Sequence, residues 1–459
     1  MSEASTPILK GDLKALTRMS IPLMLFLFCE SLTSFCVRNF LSYHSINSIH
    51  ACVNAEYLAA IFQTPCLAIA AMALVFVGYH QGKKEFQRIG PCVWQLIWFS
   101  FLSFLITFPI SFPISSWYFR GTVIEEMGVA YFMILAMGNF LFPLTTALSA
   151  FYLGRGKTLF VTSVMLANYA LQLLVSWVLI FGIAEIIPAL GARGSALAKC
   201  IRLGLTSCIF FGAFLTKQNR ALYNSGSWRF SLSALWHYMT PGFVRALGYF
   251  SSKVCWVATC YVLIQKGGRY LDVVTIGGTV ISFLLFTADG IYKAMLAIAS
   301  NLMGAEKSTE IWRLCRSLIL YAGIIATVLA FPLLLFPDTL IFFLSSSSKE
   351  IFRQTFKDIH YWIWLYMLAL TIQMSFCALL VTFRELKFQL YCYLFVWPLF
   401  FSLVYFGIGV RGWQANKLWF IMACENIVTL CFFYIRVRQA SLEKKQLPSS
   451  SQSASVLLK

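Results

Sequence analysis

Ten charged side chains lie inside long apolar segments of this sequence, and they are the residues whose types suggest chemistry. A lone charge near the centre of a membrane helix costs at least about 2.5 to 3.5 kcal/mol, so such residues usually face a cavity or pair with one another. Carboxylates in such positions can take up and release protons, whereas cations attract anionic groups. The acidic residues are Glu30, Asp289 and Glu425, and the basic ones are Arg38, Lys199, Arg202, Arg245, Lys253, Lys293 and Lys417.

Two of these acids are candidates for coupling to an ion gradient. Asp289 and Lys293 are four residues apart, so they share a helix face and can pair. Either they are a buried pair that holds the helix, or Asp289 is a protonatable group with Lys293 competing for its charge. Glu30 lies eight residues before Arg38, about 2.2 helical turns, so the two can lie on roughly one face. For Glu30 too, proton coupling and structural pairing both remain open.

The excess of cations over acids bears on the kind of ligand. If Arg38 and Lys253 both line a pathway, the pathway attracts anionic or zwitterionic molecules and repels lipophilic cations. Basic residues close to a helix start can instead extend to the membrane interface, and this is what we expect of Lys199, Arg202 and Lys417.

Other kinds of chemistry find little support. The five histidines are scattered without an HExxH or HxxxH spacing, and the fourteen cysteines form no CxxC pair. No Walker A motif is present, so we expect energy from an ion gradient rather than from ATP. A membrane-embedded enzyme would need a convergent catalytic cluster, which these dispersed residues do not suggest. We therefore predict no metal, no cofactor and no enzymatic activity.

Composition indicates what must position these residues. Of the 459 residues, 59% are apolar and 12% charged, which excludes a soluble globular protein. The net charge of +18 does not indicate nucleic-acid binding, because the few charges sit between long apolar runs. We predict an all-α integral membrane protein with twelve transmembrane helices. They are placed at about 19–41, 57–79, 91–116, 129–152, 159–183, 194–215, 239–265, 273–303, 314–344, 359–382, 388–408 and 416–435.

Charge in the connections predicts the orientation. Alternate connections and the two termini hold 21 Lys and Arg residues, against 8 on the other side. By the positive-inside rule, we expect both termini to be cytoplasmic. We predict a multi-pass protein of a bacterial inner membrane. The polar start with Lys10, Lys14 and Arg18 leads into a run of spanning length, so we expect no cleaved signal peptide.

The two halves of the chain resemble each other in order, at offsets of 218 to 229 residues. The paired positions include Leu13 with Leu232, Pro22 with Pro241, Gly82 with Gly304, Arg155 with Arg384, and Arg193-Gly194 with Arg411-Gly412. Six helices per copy give parallel repeats, an architecture of transporters with substrate bound near the midplane between the halves. The predicted divisions are a cytoplasmic N-terminus (1–18), two six-helix lobes (19–215 and 239–437), a cytoplasmic linker (216–238) and a disordered cytoplasmic tail (438–459).

Several motifs resemble those of the multidrug and toxin extrusion (MATE) family, within the wider group that includes lipid-linked oligosaccharide flippases. The segment PALGARGSALA, Pro188 to Ala198, is similar to the family's glycine- and alanine-rich entry into the sixth helix. Small residues there let helix backbones approach closely. EYLAA, Glu56 to Ala60, resembles the start of the family's second helix, and Gln81-Gly82 resembles its end. Gly154-Arg155 and Phe181-Gly182 also match.

The chain departs from the family at the positions that usually couple ions. Arg38 stands near the position of the usual first-helix carboxylate, and Gln172 with Ser176 replaces the Asn and Asp of the fifth helix. In the seventh helix, where some members use Glu, this chain has Ser251 followed by Lys253. We therefore regard Glu30 and Asp289 as coupling candidates. The candidates for a substrate cavity are Arg38, Gln172, Ser176, Ser251, Lys253 and Lys293.

The resemblance implies a monomeric secondary transporter in the lipid bilayer that exports small amphipathic molecules against entry of protons or sodium ions. Nucleic acid is not an expected partner. The alternative is a flippase or exporter for a lipid-linked or other anionic substrate, whose phosphates would suit Arg38 and Lys253.

Overall fold

The computed structural model describes residues 9–183, 188–335 and 349–446, and these residues are folded into long helices. The helices are α1 (Leu13–His44), α2 (Ile46–Ala70), α3 (Met72–Gly82), α4 (Ile89–Phe119), α5 (Glu125–Met137), α6 (Leu141–Leu153), α7 (Thr158–Phe181), α8 (Ala192–Phe214), α9 (Lys217–Tyr223), α10 (Leu232–Lys266), α11 (Arg269–Gly304), α12 (Ser308–Leu335), α13 (Lys349–Phe383), α14 (Leu386–Val404) and α15 (Lys417–Gln446).

Eleven helical segments of the described chain are long and apolar enough to cross a membrane. They are Leu13–His44, Asn47–Gly82, Phe86–Phe119, Glu125–Leu153, Thr158–Phe181, Ala192–Phe214, Asp272–Gly304, Thr309–Val328, Gln354–Phe383, Leu386–Val410 and Lys417–Leu442. The remaining predicted span, 239–265, falls within α10, which is 35 residues long but carries Arg245 and Lys253. The all-helical fold predicted from the sequence is confirmed. The last part of the predicted ninth span, 336–344, lies outside the described residues.

Two of the predicted spans are interrupted helices. The second consists of α2 and α3, which meet at Ala71, and the fourth consists of α5 and α6, which are separated by residues 138–140. A Cβ atom on Gly138 would lie 2.5 Å from Sγ of Cys200 on α8, so the glycine allows α5 to approach α8 closely. Gly194 on α8 has the same role, because a Cβ there would clash with the carbonyl oxygen of Leu179 on α7.

The internal repeat is visible in the backbone of equivalent turns. Lys84 and Glu306, 222 residues apart, are both left-handed, with φ of 62° and 59°. The amide of Glu85 donates to the carbonyl of His80, and the amide of Lys307 donates to that of Leu302 in the same way. Such left-handed caps end helices by satisfying their last carbonyl groups.

A second pair of turns shifts the alignment of the two halves of the chain by one residue. Left-handed backbone occurs at Gly156 and at Arg384, with φ of 78° and 65°. The amide that follows each donates to a carbonyl five residues earlier: Lys157 to Tyr152 and Glu385 to Leu380. Arg384 is therefore equivalent to Gly156, at an offset of 228, and not to Arg155 as the sequence suggested.

The chain divides into two compact units. Unit 1 is built on Ile21–Ala246, and unit 2 on Lys10–Ser20 with the described residues of Leu247–Lys459. In unit 1, α2 packs on α4, α5 and α6, and α8 packs on α5, α6 and α7. In unit 2, α13 packs on α11, α12 and α15, and α14 packs on α15. The predicted linker, 216–238, lies within unit 1, and the domain boundaries of the sequence analysis stay predictions.

The first turns of α1 are attached to unit 2 by hydrogen bonds. The amide of Gly11 donates to Oε2 of Glu310 over 2.9 Å, and Ser20 Oγ donates to the Tyr321 hydroxyl over 2.8 Å. These contacts explain why residues 10–20 are grouped with the second half of the chain. No periodicity in the sequence indicates them, because each partner is about 300 residues away.

At the C-terminal end, the helix extends further than expected. The sequence predicts disorder from 438, whereas α15 continues to Gln446. Trp312 Nε1 of α12 donates to Oγ of Ser441 over 2.8 Å, which fixes this part of α15 to unit 2. The rest of the predicted tail, 447–459, lies outside the described residues.

Candidate functional site

Glu56 on α2 is the centre of an ion cluster in unit 1. Lys199 Nζ of α8 donates to Oε1 of Glu56 over 2.8 Å, and Arg38 Nη2 of α1 donates to Oε2 over 3.3 Å. The side chains of Glu56 and Lys199 are about a quarter exposed, at 24% and 26%, and that of Arg38 is 49% exposed. Lys199 therefore does not extend to the membrane interface as expected, because it has an acidic partner at its own depth.

The ends of three helices place these residues at a common depth. Gly191, directly before α8, lies against the His44 ring at the end of α1, and α2 begins two residues after His44. Arg38, Glu56 and Lys199 lie six, ten and seven residues from these helix ends. At 1.5 Å per residue, the cluster is roughly 9 to 15 Å inside the helices.

The surroundings of the cluster are apolar apart from one hydroxyl group. The Tyr131 hydroxyl of α5 is 3.5 Å from Oε1 of Glu56 and accepts a hydrogen bond from Sγ of Cys52 over 3.2 Å. The ring of Phe142 lies 5.9 Å from Lys199 Nζ. Buried neighbours include Val37, Leu41, Ala55, Leu58, Phe132, Leu135 and Ala196. Two cations and one acid give the cluster a net positive charge in a medium that screens it weakly.

A second polar group lies deeper in unit 1. Arg202 of α8 is buried, and its guanidinium carbon is 4.8 Å from the centre of the Tyr169 ring. Arg202 Nε has no hydrogen-bond partner among the described residues. Tyr169 interacts electrostatically with Glu30, which is exposed. Arg202 thus stacks on an aromatic ring, and the expectation that it reaches the interface is wrong.

Glu30 and Arg38 have different partners, although eight residues of helix separate them. Arg38 pairs with Glu56, while Glu30 interacts with Tyr169 of α7. On the same helix as Tyr169, Gln172 and Ser176 are buried, at 8% and 0% exposure. Ser176 Oγ has no hydrogen-bond partner among the described residues. These two cavity candidates therefore lie within the interior of unit 1.

The unit 2 candidates lie on two helices. Asp289 and Lys293 are both half-buried on α11, and each is engaged in an interaction. On α10, Ser251 is half-buried and Lys253 is exposed. The roles of all eight candidate residues stay predictions.

Glu425 on α15 is the most enclosed of the acids noted in the sequence. It is 2% exposed, and Thr429 Oγ1, one turn further on the same helix, donates to its Oε1 over 3.0 Å. Tyr366 of α13 and Cys392 and Tyr393 of α14 interact electrostatically with it. No described residue offers it a basic partner.

Glu56 is the residue that the sequence reasoning missed. The predicted second span began at 57, so Glu56 was not counted among the acids inside the membrane. The helix in fact begins at Ile46, after Ser45, whose side chain accepts a hydrogen bond from the amide of Ser48 over 3.1 Å. A serine that caps a helix is a recognisable signal, and it would have moved Glu56 into the span.

Among the described residues, no group of three or more His, Cys, Asp or Glu side chains comes together in a way that could hold a metal ion. The contacts of the two acids support two kinds of chemistry: exchange of counter-ions at Glu56 and protonation of a buried carboxyl group at Glu425. Both fit movement of charge through a membrane protein.

Comparison with known proteins gives one match to a family model and several matches to solved structures. Residues 246–406 match the family model MatE. No curated protein matches the chain significantly. An outward-facing multidrug resistance MATE transporter of the MOP superfamily is similar in fold, with a TM-score of 0.87 and 16% identity over 97% of this chain and 100% of that one.

Two further structures have the same coverage. A MOP superfamily transporter from Pyrococcus furiosus, whose binding pocket is described as having reverse polarity that suggests a different function, has a TM-score of 0.83 and 16% identity. A MATE protein in the straight conformation has a TM-score of 0.83 and 15% identity. At these identities the likeness shows the fold, which in MATE transporters has twelve helices. Members of the family are transporters rather than enzymes.

The resemblance that the sequence motifs indicated is thus confirmed: residues 246–406 of this multi-pass membrane protein match the MatE family model, and the chain has the fold of MATE transporters.

Proposed function

We propose that this protein is a secondary active exporter that moves small amphipathic molecules outward against entry of protons or sodium ions. The observation that carries the proposal is the MATE fold over 97% of the chain, together with ionisable side chains inside both units. The sequence contains no nucleotide-binding motif, which fits an ion gradient as the source of energy.

We propose further that the chain acts as a monomer in a bacterial inner membrane, with both termini in the cytoplasm. The distribution of Lys and Arg in the connections supports this orientation. Modification by an impermeant reagent tests it, with single cysteines placed at Lys84 or Arg120 in a variant whose fourteen native cysteines are replaced by serine. Labelling of position 120 and not of position 84 in intact cells is the expected result.

Transport by the purified protein in liposomes tests the function. A cationic dye and an anionic dye are offered separately, under imposed proton and sodium gradients. Gradient-driven movement of the cationic dye is expected for multidrug efflux. If neither gradient moves either dye, ordinary multidrug efflux is wrong for this chain.

Asp289 is proposed as a coupling group in unit 2, with Lys293 competing for its charge, and Glu30 as a second candidate in unit 1. Asp289→Asn keeps the shape of the side chain and removes its charge, so we expect coupled transport to be lost while the protein still folds. Asp272→Asn, in the first turn of the same helix, is the matched control. Wild-type transport by Asp289→Asn would remove Asp289 from the mechanism.

A second candidate function is export or flipping of a lipid-linked or other anionic substrate. The cluster of Arg38, Glu56 and Lys199 favours it, because two cations face one acid and half of the Arg38 side chain is exposed. The reverse polarity attributed to the pocket of the Pyrococcus furiosus relative is a further reason to consider it.

Arg38→Asn tests this candidate. If Arg38 attracts anions, the substitution shifts the preference towards the cationic dye, because the cluster then loses its net positive charge. Arg193→Asn is the control. Arg193 lies on the same helix as Lys199, is exposed and pairs with Glu126 over 2.7 Å. Its substitution should leave the preference between the two dyes unchanged. An unchanged preference in Arg38→Asn would assign Arg38 a structural role.

A further inference from the structure

Glu425 is a carboxyl group enclosed by three helices of unit 2. It lies eight residues after the start of α15, or roughly 12 Å inside the helix at 1.5 Å per residue. Glu425 is 2% exposed, and α13 and α14 pack against α15. Water therefore has almost no access to it in this conformation.

Burial and the absence of a nearby cation among the described residues favour the neutral form of Glu425. One contact acts in the opposite direction: the Thr429 hydroxyl, on the same helix, donates to Oε1 of Glu425 over 3.0 Å. The titratable side chains that face it are Tyr366 on α13 and Cys392 and Tyr393 on α14. These are acids rather than bases, so they cannot neutralise a carboxylate at ordinary pH.

The other helices that touch α15 add no counter-charge. Trp256 of α10, Gly277 of α11 and Trp312 of α12 lie against its Trp419 and Tyr434. Within the described ranges, none of these three helices brings a basic side chain to Glu425. An unpaired carboxylate in such a place is costly, which favours the protonated form of Glu425.

The surroundings also distinguish a proton from a metal cation. Hard cations are bound by several oxygen ligands at once, usually including more than one carboxylate or carbonyl group. Glu425 has one hydroxyl group as a hydrogen-bond partner, and no described cluster of acids surrounds it. A proton needs a single oxygen atom and no such shell.

We propose that Glu425 is a proton-carrying group of this transporter and that the coupling ion is therefore the proton. This proposal rests on the proposed function, which left the ion open. When unit 2 admits water from outside, an O–H bond of a hydronium ion breaks, its proton forms an O–H bond with the carboxylate, and a water molecule is left. When it admits water from the cytoplasm, that bond breaks and the proton returns to water, which restores the carboxylate.

Glu425→Gln is the informative variant, because an amide keeps the size of the side chain and an oxygen that accepts from Thr429, but cannot release a proton. The purified full-length chain is placed in liposomes with ethidium as the cationic dye and pyranine as a pH indicator. In the wild type, a proton gradient should drive ethidium, and an ethidium gradient should move protons. Glu425→Gln should lose both while still exchanging ethidium for ethidium.

Two further variants separate a proton carrier from a structural group. Glu425→Asp keeps an ionisable group and should retain proton-driven transport, whereas Glu306→Gln removes an exposed acid of unit 2 and should behave as wild type. Unchanged proton movement in Glu425→Gln would overturn the proposal. So would transport by the wild type that responds to a sodium gradient alone.

Infrared spectroscopy tests the protonation of Glu425 without requiring that the protein transports a dye. A protonated carboxylic acid has a C=O stretching band that an ionised carboxylate lacks. At neutral pH we expect such a band in the wild type and its loss in Glu425→Gln. If the wild type transports no dye, the proposed function fails, and this band still decides the protonation of Glu425: a spectrum without it overturns the proposal.

Discussion

Glu56 in unit 1 and Glu425 in unit 2 are the same kind of side chain in opposite surroundings. Glu56 accepts hydrogen bonds from Lys199 and Arg38, at 2.8 and 3.3 Å, and is about a quarter exposed. Glu425 accepts one hydrogen bond, from Thr429, and is 2% exposed. The first carboxylate is a counter-ion for two cations, whereas the second has no cation near it among the described residues.

This difference shows that burial alone does not assign a role to an acid in a membrane protein. A carboxylate held between two cations is stabilised in its charged form, and its loss leaves the cations uncompensated. A carboxyl group without a cation is stabilised in its neutral form and is able to exchange a proton when water reaches it. The predictions below separate these two cases by stability and by pH.

The largest effect is expected from Glu56→Ala. The substitution leaves Arg38 and Lys199 without their acid, and removing one partner of a buried ion pair costs about 3 to 5 kcal/mol. Partial exposure of the cluster favours the lower end, about 3 kcal/mol. Thermal unfolding of the purified protein in detergent measures the loss.

Glu126→Ala is the control for this prediction. Glu126 pairs with Arg193 over 2.7 Å, but its side chain is 89% exposed, so its removal should change stability by less than about 1 kcal/mol. An equal effect of the two substitutions would mean that the Glu56 cluster contributes no more than a surface ion pair.

A much smaller effect on stability is expected from Glu425→Leu. In the neutral form that we propose, Glu425 makes one hydrogen bond, so leucine of similar size should replace it at a cost of less than about 1.5 kcal/mol. The Thr429 hydroxyl can then donate to the backbone carbonyl four residues earlier on its helix. A loss as large as that of Glu56→Ala, in the same unfolding measurement, would indicate a charged Glu425.

The smallest effect on stability is expected at two equivalent turns, where one unit has an acidic residue and the other a basic residue. Glu85 in unit 1 accepts from His80 Nδ1 and lies 3.0 Å from Lys83 Nζ, whereas Lys307 stands 222 residues later in unit 2. Partial burial raises the pKa of Glu85, but hydrogen bonds from Lys83 and His80 and the nearby positive charges outweigh it. The pKa therefore lies below its ordinary value of 4.5.

A lowered pKa in the folded state means that Glu85 stabilises the protein above pH 4.5 and that this contribution is lost as the pH falls through the folded value. Glu85→Gln should reduce stability at neutral pH by less than about 1 kcal/mol, and the difference from wild type should shrink as the pH falls below 4.5 and vanish once Glu85 is protonated in the folded state. Glu306→Gln, in the equivalent turn, is the control. A pH-independent difference in unfolding temperature would exclude ionisation of Glu85 as the cause.

The helices and the repeat were largely predictable from the sequence. Apolar runs of spanning length identify helices because burial in lipid depends on the local composition of the chain. Gly82 and Gly304 predicted equivalent turns, and both turns end in the same left-handed cap, at Lys84 and Glu306. Helix ends are harder to predict: the helix starts at Ile46, eleven residues before the predicted start of the span at 57, since polar residues at its start hide the cap at Ser45.

The sequence by itself determined that ionisable residues lie within helices, since the order of residues along the chain places them inside apolar runs. Tertiary structure decided which of them pair. Lys199 and Glu56 are 143 residues apart, and only the packing of α8 near α2 brings them together. Glu425 is isolated because the faces of α13 and α14 that meet it carry tyrosine and cysteine. Charge pairing depends on the distance between side chains in space, because the attraction between two charges weakens as they move apart. The spacing of residues along the chain does not give that distance.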